Sequence, residues 1–114
     1  MLSAPCTVFD CDVGELFANP EWKAIAIGAM LEAYHLGIAK GISFSFDDPV
    51  AYATAFAEGM PKANPSMRLD HMAGRRSEID AINGMVPVLG QDMNIPAPYN
   101  QVLTAEVRRR EDAF

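Results

Sequence analysis

Three Asn-Pro or Asp-Pro pairs punctuate this chain, and each stands directly before a run with helical spacing: Asn19-Pro20, Asp48-Pro49 and Asn64-Pro65. An Asn or Asp side chain can accept hydrogen bonds from the first free backbone N–H groups of a helix. Proline is tolerated at the first helical position, because the N–H that it lacks would have no partner there. The pairs therefore predict three helices, which run to about Lys40, Gly59 and Ala73.

Glycines mark the ends of two of these helices. Gly41 and Gly74 each follow a predicted helix directly, and glycine readily adopts the left-handed conformation that ends a helix. Within the first helix, apolar residues recur at steps of three and four, which is typical of one buried helical face. The chain is thus divided into helices by its own start and stop signals.

Three further segments complete the predicted helices. Residues 13–18 form a short element that leads into Asn19. Ser77-Glu78-Ile79-Asp80 has the spacing of a capping box, with Asp in place of the usual Glu, and predicts a helix that runs through Leu89. Pro87 lies inside that helix and is expected to bend it near Asn83. A last helix follows Pro96-Ala97-Pro98.

No segment shows a convincing strand pattern with hairpin signals. Residues 42–46 alternate polar and apolar side chains, but they form only five residues between two helices, so we predict a loop that places Phe44 and Phe46 in the core. The sequence therefore predicts one all-α domain of five or six helices across residues 1–114.

Charge and composition exclude several classes of protein. The net charge of −6 and the pI of about 4.7 disfavour binding to a phosphate backbone, so we expect no nucleic-acid partner. The basic run Arg108-Arg109-Arg110 is interpreted as favourable charge at the C-terminal end of the last helix. No apolar run approaches the roughly 20 residues of a membrane-spanning helix. Only two cysteines are present, without metal-ligand spacing, and we expect a soluble, reduced, cytoplasmic protein.

Two polar residues could carry chemistry, and each also has a purely structural interpretation. Ser66 could cap the third helix, or its hydroxyl could bind a carboxylate beside free backbone N–H groups. Glu78 could serve the dipole of the helix that it begins, or it could bind a hydroxyl or a cation. His71 is interpreted as an exposed or satisfied histidine. No metal site, catalytic nucleophile or glycine-rich dinucleotide loop is found in residues 1–114.

Several spaced motifs resemble those of the ketopantoate reductase (2-dehydropantoate 2-reductase) family, in its C-terminal helical domain. They are Gly14-Glu15-Leu16 with Asn19-Pro20, then Glu32 before Gly37-Ile38, Ser66-Met67 with Asp70, Gly74-Arg75, the run Ser77-Glu78-Ile79-Asp80-x-Ile82-Asn83-Gly84, Gly90, and Ile95-Pro96-x-Pro98-x-Asn100. The motifs agree in order and cover nearly the whole chain.

The resemblance implies an all-helical domain like the C-terminal half of 6-phosphogluconate dehydrogenase-type enzymes. In the family this domain closes over an N-terminal Rossmann domain that holds NADPH, and hydride passes to the ketone of 2-dehydropantoate in pantothenate biosynthesis. Carried over by motif, Ser66 corresponds to a substrate-binding serine. Glu78 corresponds to a glutamate beside the cofactor and the catalytic lysine.

The chain also departs from the family pattern. Counted back from Gly14, the catalytic lysine and one substrate asparagine fall before Met1, and two further polar positions are occupied by Ser3 and Val13. We therefore assign no catalytic residue to this chain, expect no tight NADPH binding by it alone, and expect the Rossmann domain to lie outside it.

Three hypotheses follow for the function of the chain. The first is a substrate-binding and dimerisation domain of a ketopantoate reductase-like enzyme, inactive alone, whose partners are the Rossmann domain, a second copy of itself and a 2-keto acid. The second is a stand-alone, non-catalytic helical module for interaction or dimerisation. The third is a small-molecule binder that uses Ser66 and Glu78.

Overall fold

The computed structural model describes residues 2–114, so Met1 lies outside it. Seven helices and no strands are found in these residues. The helices are α1 (Ser3–Val8), α2 (Val13–Ala18), α3 (Pro20–Ala39), α4 (Pro49–Gly59), α5 (Ser66–Met72), α6 (Met85–Gln91) and α7 (Pro98–Glu111). The predicted all-α architecture is confirmed. None of the helices in the described part of the chain is both long and apolar enough to cross a membrane.

The predicted helix starts are confirmed at α3 and α4. The Asn19 side chain accepts hydrogen bonds from the N–H groups of Glu21 and Trp22, both at 3.1 Å. Asp48 accepts one from Ala51, also at 3.1 Å. Because these caps are local in sequence, the start signals alone were sufficient to place both helices.

The predicted stops are also confirmed. Gly41 and Gly74 adopt left-handed backbone conformations, with φ of 82° and 71°. At the end of α5 the N–H of Arg75 bonds to the carbonyl of Asp70 at 2.8 Å, and Gly74 bonds to His71 at 3.0 Å. These two bonds form a Schellman motif, which turns the chain sharply after α5.

The long helix α3 is the centre of the domain. It contacts α1, α2, α4, α6 and α7, while α1 packs on both α5 and α7. The buried apolar side chains form three clusters: the first contains Ala4, Ala29, Met67, Ile79, Leu103 and Val107, the second Cys6, Cys11, Val13, Leu16, Ala26 and Ala57, and the third Leu36, Val86 and Ala97. The first cluster joins α5 and the segment after it to α7.

A buried polar network fixes the start of α7 against α3. The Glu32 carboxylate accepts hydrogen bonds from the N–H groups of Tyr99 and Asn100, at 2.8 and 2.9 Å. The Asn100 side-chain amide donates to the Ala29 carbonyl at 2.8 Å and to Glu32 at 2.7 Å, and it accepts from Asn83 at 2.8 Å. Glu32, Asn83 and Asn100, which all belong to the motifs that resemble the family, therefore have a structural role.

The helix predicted from Ser77 through Leu89 is wrong in its first half. Residues 79–84 form consecutive turns, the Gly84 N–H bonds to the Ile79 carbonyl at 2.8 Å, and α6 begins only at Met85. Pro87 is consequently the third residue of a helix, where its missing N–H breaks no intrahelical bond. The expected bend at Asn83–Pro87 is not present.

One helix was not foreseen, and one further expectation is wrong. The helix α1 was not predicted, since Ser3–Val8 carries a proline and β-branched residues and is held by its packing on α5 and α7. Phe44 and Phe46 lie in a loop, as expected, but not in the core. They stack near the surface against Tyr34 and Tyr52, with a centroid distance of 4.3 Å between Phe46 and Tyr52.

Replacing Gly74 by alanine tests the turn after α5. A left-handed conformation costs a residue with a side chain about 1 kcal/mol, so we expect Gly74→Ala to lower the free energy of unfolding by that amount in urea denaturation. Gly59→Ala is the matched control, because Gly59 ends α4 without a positive φ and has open space around it. Equal effects of the two substitutions would contradict the assignment.

Replacing Asn100 tests the buried network. Asn100→Ala leaves the Asn83 amide and the Glu32 carboxylate each short of a partner, so we expect a loss of about 2 kcal/mol in the free energy of unfolding. The exposed neighbour Gln101, also on α7, provides the control, and Gln101→Ala should change stability by less than about 0.5 kcal/mol. The measurement is thermal or denaturant unfolding of the three proteins side by side.

Candidate functional site

The signature segment, defined here as residues 66–84, consists of α5, the Gly74 turn and the consecutive turns before α6. Its apolar members Met67 and Ile79 are buried in the first core cluster. Its polar members divide into those that bond within the domain and those that do not. This division separates structural residues from candidates for binding.

Glu111 engages two polar members of the segment. Its side chain is only 4% exposed, and one oxygen, Oε2, lies 2.8 Å from the Ser77 nitrogen, 2.5 Å from the Ser77 hydroxyl and 2.8 Å from His71 Nε2. Burial alone would raise the pKa of this carboxyl, but the hydrogen bonds from Ser77 and His71 together lower it. Glu111 is therefore ionised, and His71 donates to it.

Of the two interpretations of His71, exposed or satisfied, the structure confirms the second. The role of Glu111 was missed, although the sequence contains a signal for it. Leu103, Val107 and Glu111 are spaced four residues apart on one face of α7. A carboxylate in line with two core residues indicates a buried charge with specific partners.

Asp80 and the arginine run form ion pairs near the surface. Arg108 lies 2.5 Å from Asp80, with both side chains more than half exposed. Hydrogen bonds from Arg109 and Arg110 lower the pKa of Glu106 to about 2. All three arginines lie in the last turn of α7, so the interpretation as C-terminal helix charge is confirmed.

Ser66 and Glu78 remain as the polar residues of the signature segment without internal side-chain partners. Ser66 is the first residue of α5 and is exposed, and no side chain caps this helix. The expectation that Ser66 caps the helix is therefore wrong, because Pro65 occupies the cap position. No side-chain hydrogen bond or ion pair within residues 2–114 involves Ser66.

Glu78 is held by its backbone while its carboxylate is exposed. The Glu78 carbonyl accepts hydrogen bonds from the N–H groups of Ala81 and Ile82, at 3.0 and 3.1 Å. The alternative role as a first-turn helix acid is wrong, because no helix begins there. Among the described residues no side-chain bond joins Glu78 to Ser66 or to any other group.

The two other positions that the resemblance marks have no free polar group of the expected kind. Val13 is fully buried, and Ser3 is half-buried at the start of α1, where its carbonyl accepts from Thr7 Oγ1 at 2.8 Å. Among the positions that the resemblance marks, Ser66 and Glu78 are thus the ones with exposed polar side chains.

Two further features of the domain contain ionisable side chains, a cleft beside α5 and the buried thiols. One cleft of about 430 Å³ lies between α1, α5 and α7, and neither Ser66 nor Glu78 lines it. Burial raises the pKa of Cys6 to about 12, so this thiol is protonated and a poor nucleophile. Within residues 2–114 no group of three His, Cys, Asp or Glu side chains could hold a metal ion.

Comparison with known proteins matches these features to one family. The family model described as "Ketopantoate reductase PanE/ApbA C terminal" matches residues 1–111. A 2-dehydropantoate 2-reductase of Streptococcus pyogenes serotype M1 is 29% identical over 111 residues, which are 96% of this chain and 36% of that protein. The chain therefore spans about a third of the length of such relatives.

Solved structures agree with the sequence comparison. The crystal structure of a PanE/ApbA family ketopantoate reductase from Ralstonia eutropha matches 97% of this chain and 37% of its own, with a TM-score of 0.88 and 32% identity. A dimeric ketopantoate reductase from Staphylococcus aureus matches 98% of this chain and 39% of its own, with a TM-score of 0.84, and at 20% identity it shows the shared fold alone. This chain belongs to the ketopantoate reductase family and corresponds to its C-terminal domain.

Proposed function

We propose that this chain forms the substrate-side wall and the dimerisation surface of an NADPH-dependent reductase that converts 2-dehydropantoate to pantoate. The observation that carries this proposal is the division within the signature segment. Its other polar residues bond inside the domain, whereas the Ser66 hydroxyl and the Glu78 carboxylate are exposed and free of internal side-chain partners. Free thiols at Cys6 and Cys11 support a reducing, cytoplasmic location.

The two residues have different chemical roles in the proposal. Ser66 donates a hydrogen bond to the 2-keto acid, whose carboxylate and hydroxyl oxygens are good acceptors. Glu78 accepts hydrogen bonds from cofactor hydroxyls and attracts the ammonium group of a lysine that lies outside this chain.

The residues of this chain suit the hydroxyl groups of the cofactor but not its phosphates. An exposed carboxylate at Glu78 suits a hydroxyl or an ammonium group and repels phosphate. The chain has no glycine-rich loop at a helix start to hold the pyrophosphate. When bound, NADPH supplies the hydride, and a separate nucleotide-binding domain would have to hold most of it.

A fused reductase tests the roles of Ser66 and Glu78. In the fused reductase, the part of the Streptococcus pyogenes relative that this chain does not match comes first, and this chain follows it. We expect NADPH oxidation that depends on 2-dehydropantoate, and a fall in kcat/KM of roughly tenfold or more for Ser66→Ala and for Glu78→Gln, because each substitution removes one charged or polar contact.

Matched controls are Ser45→Ala and Glu21→Gln, which replace exposed residues of the same types on a loop and at the start of α3. They should leave kcat/KM unchanged. The unfused chain should show no turnover. Rapid NADPH oxidation by the unfused chain would contradict the proposal that the hydride carrier and proton donor are held outside it. Wild-type rates for both site variants in an active fused reductase would contradict the assigned contacts.

The proposed dimerisation surface is the aromatic face, defined as Tyr34, Phe44, Phe46, Tyr52 and Phe56. The first four members contact one another in succession, with centroid distances of 4.9 Å for Tyr34–Phe44, 5.4 Å for Phe44–Phe46 and 4.3 Å for Phe46–Tyr52. Phe56 lies one turn from Tyr52 on the exposed side of α4. The other side of α4 is already buried through Ala53 and Ala57. This helix is therefore apolar on both sides, which is typical of a helix that is covered on both sides.

A second copy of this chain is the occupant that we propose for the aromatic face. A specific interface buries about 800 Å² per partner, and aromatic side chains are enriched in such interfaces. Phe44, Tyr52 and Phe56 are 36%, 56% and 42% exposed, so they still have apolar surface to bury. The net charge of −6 makes two copies repel each other, and the five members of the face add no charge to that repulsion. The Staphylococcus aureus relative is also dimeric. The alternative function, a stand-alone interaction module, would use the same face.

Replacing Phe56 tests the dimer. We expect light scattering of the wild-type chain at high micromolar concentration to give the mass of two chains, and Phe56→Glu to give one, because the carboxylate would be buried without a partner. Val102→Glu is the control, since Val102 is 69% exposed on α7. A wild-type monomer at every concentration, or equal disruption by both variants, would contradict the proposal.

A further inference from the structure

Glu111 is a buried charge at a point where the core would otherwise be apolar. It follows Leu103 and Val107 on the buried face of α7 and is 3% exposed. Moving a carboxylate out of water is unfavourable unless hydrogen bonds replace its hydration. One oxygen of Glu111 receives three such bonds, two from Ser77 and one from His71.

These three donors come from both sides of the Gly74 turn. His71 lies in the last turn of α5, and Ser77 lies beyond the turn. Because both bond to the same oxygen, Glu111 connects the helix that begins with Ser66 to the residue that precedes Glu78. On its other side Glu78 is followed by Ile79, which is 2% exposed in the first core cluster.

The backbone of Glu78 is thus fixed from both directions while its carboxylate stays exposed. Ser77 is held by the charge of Glu111, and Ile79 is held by apolar packing. Small displacements of a binding group lower activity strongly, because the contact must match the reacting geometry closely. A residue that fixes Glu78 therefore affects the site without contacting the ligands.

We infer that Glu111 is a positioning residue that fixes the backbone from which the Glu78 carboxylate projects, relative to Ser66 across the Gly74 turn. This inference rests on the proposed function, in which Glu78 contacts the cofactor and Ser66 the substrate. It adds a third residue, far away in the sequence, on which that site depends.

The ionised carboxylate accepts these three bonds more strongly than the neutral acid does, because its oxygen carries negative charge. Because the pKa of Glu111 is lowered in the folded protein, its bonds stabilise the structure above the ordinary carboxyl pKa of about 4.5. They are lost as the pH falls through the lower folded pKa. Among the described residues, His71 on α5 is the one charged or titratable group that contacts Glu111. The other ion pairs of the signature segment and α7 are Arg68–Asp10, Arg75–Asp70, Arg76–Asp112, Arg108–Asp80, Arg109–Glu106 and Arg110–Glu106.

The first experiment measures amide hydrogen exchange and proton shifts by NMR on this chain. In Glu111→Gln we expect exchange protection of the Ser77 amide to fall at least roughly tenfold relative to the amides of Leu103 and Val107. The wild-type Ser77 amide shift should titrate below pH 4.5, and the variant should lack that titration. Glu106→Gln, on the same helix but in surface ion pairs, should retain both signals.

Ser77→Ala provides a second variant in case Glu111→Gln does not fold. It removes the hydroxyl bond and leaves the Ser77 N–H bond to Glu111, so a smaller loss of local protection is expected than in Glu111→Gln. Unchanged protection of residue 77, relative to the core amides, in every variant that folds would overturn the inference.

The second experiment is a double-mutant cycle in the fused reductase. If Glu111 acts through Glu78, Glu111→Gln lowers kcat/KM in the wild-type background and has little further effect in the Glu78→Gln background. Additive effects would overturn the positioning role and leave the proposed function intact. No effect of Glu78→Gln itself would instead contradict the proposed function, so the two failures are distinguishable.

Discussion

The carboxylate of Glu32 bonds to the first free N–H groups of α7, and the position of α7 follows from this contact. Glu32 lies on α3, the central helix, so its bonds to Tyr99 and Asn100 attach the start of α7 to the middle of the domain. A negative charge at the positive end of a helix is favourable. Leu103, Val107 and Glu111 then face the core in succession along α7, and Glu111 reaches the signature segment.

Local and tertiary signals compete in the signature segment. Ser77 and Asp80 have the spacing of a capping box, yet Ser77 bonds to Glu111 and Asp80 pairs with Arg108. Both partners lie on α7, about thirty residues away in the sequence. Three bonds to one buried carboxylate outweigh a cap that is worth about 1 kcal/mol. A chain segment with a good local helix start is therefore turned into the consecutive turns that present Glu78.

The residues that identify the family are mostly those that build the domain. Glu32, Asn83 and Asn100 form the network beneath α7, and Gly74 makes the turn after α5. Family membership is consequently well determined from this chain, while the proposed chemistry depends on two exposed side chains and on groups elsewhere. The proposed function follows the same division, with Ser66 and Glu78 on one wall and the remaining groups on a separate domain.

The sequence by itself determined the features whose partners are close in the chain. The Asn19 and Asp48 caps, the Gly41 and Gly74 stops and the all-α class could be predicted, because a helix end is satisfied within a few residues. For the candidate site, the sequence supplied the positions of Ser66 and Glu78. Only the tertiary structure decided that α1 forms, that residues 79–84 are turns and that Glu111 is buried. Each of these outcomes depends on contacts between distant segments, and their free energy exceeds that of the local preference.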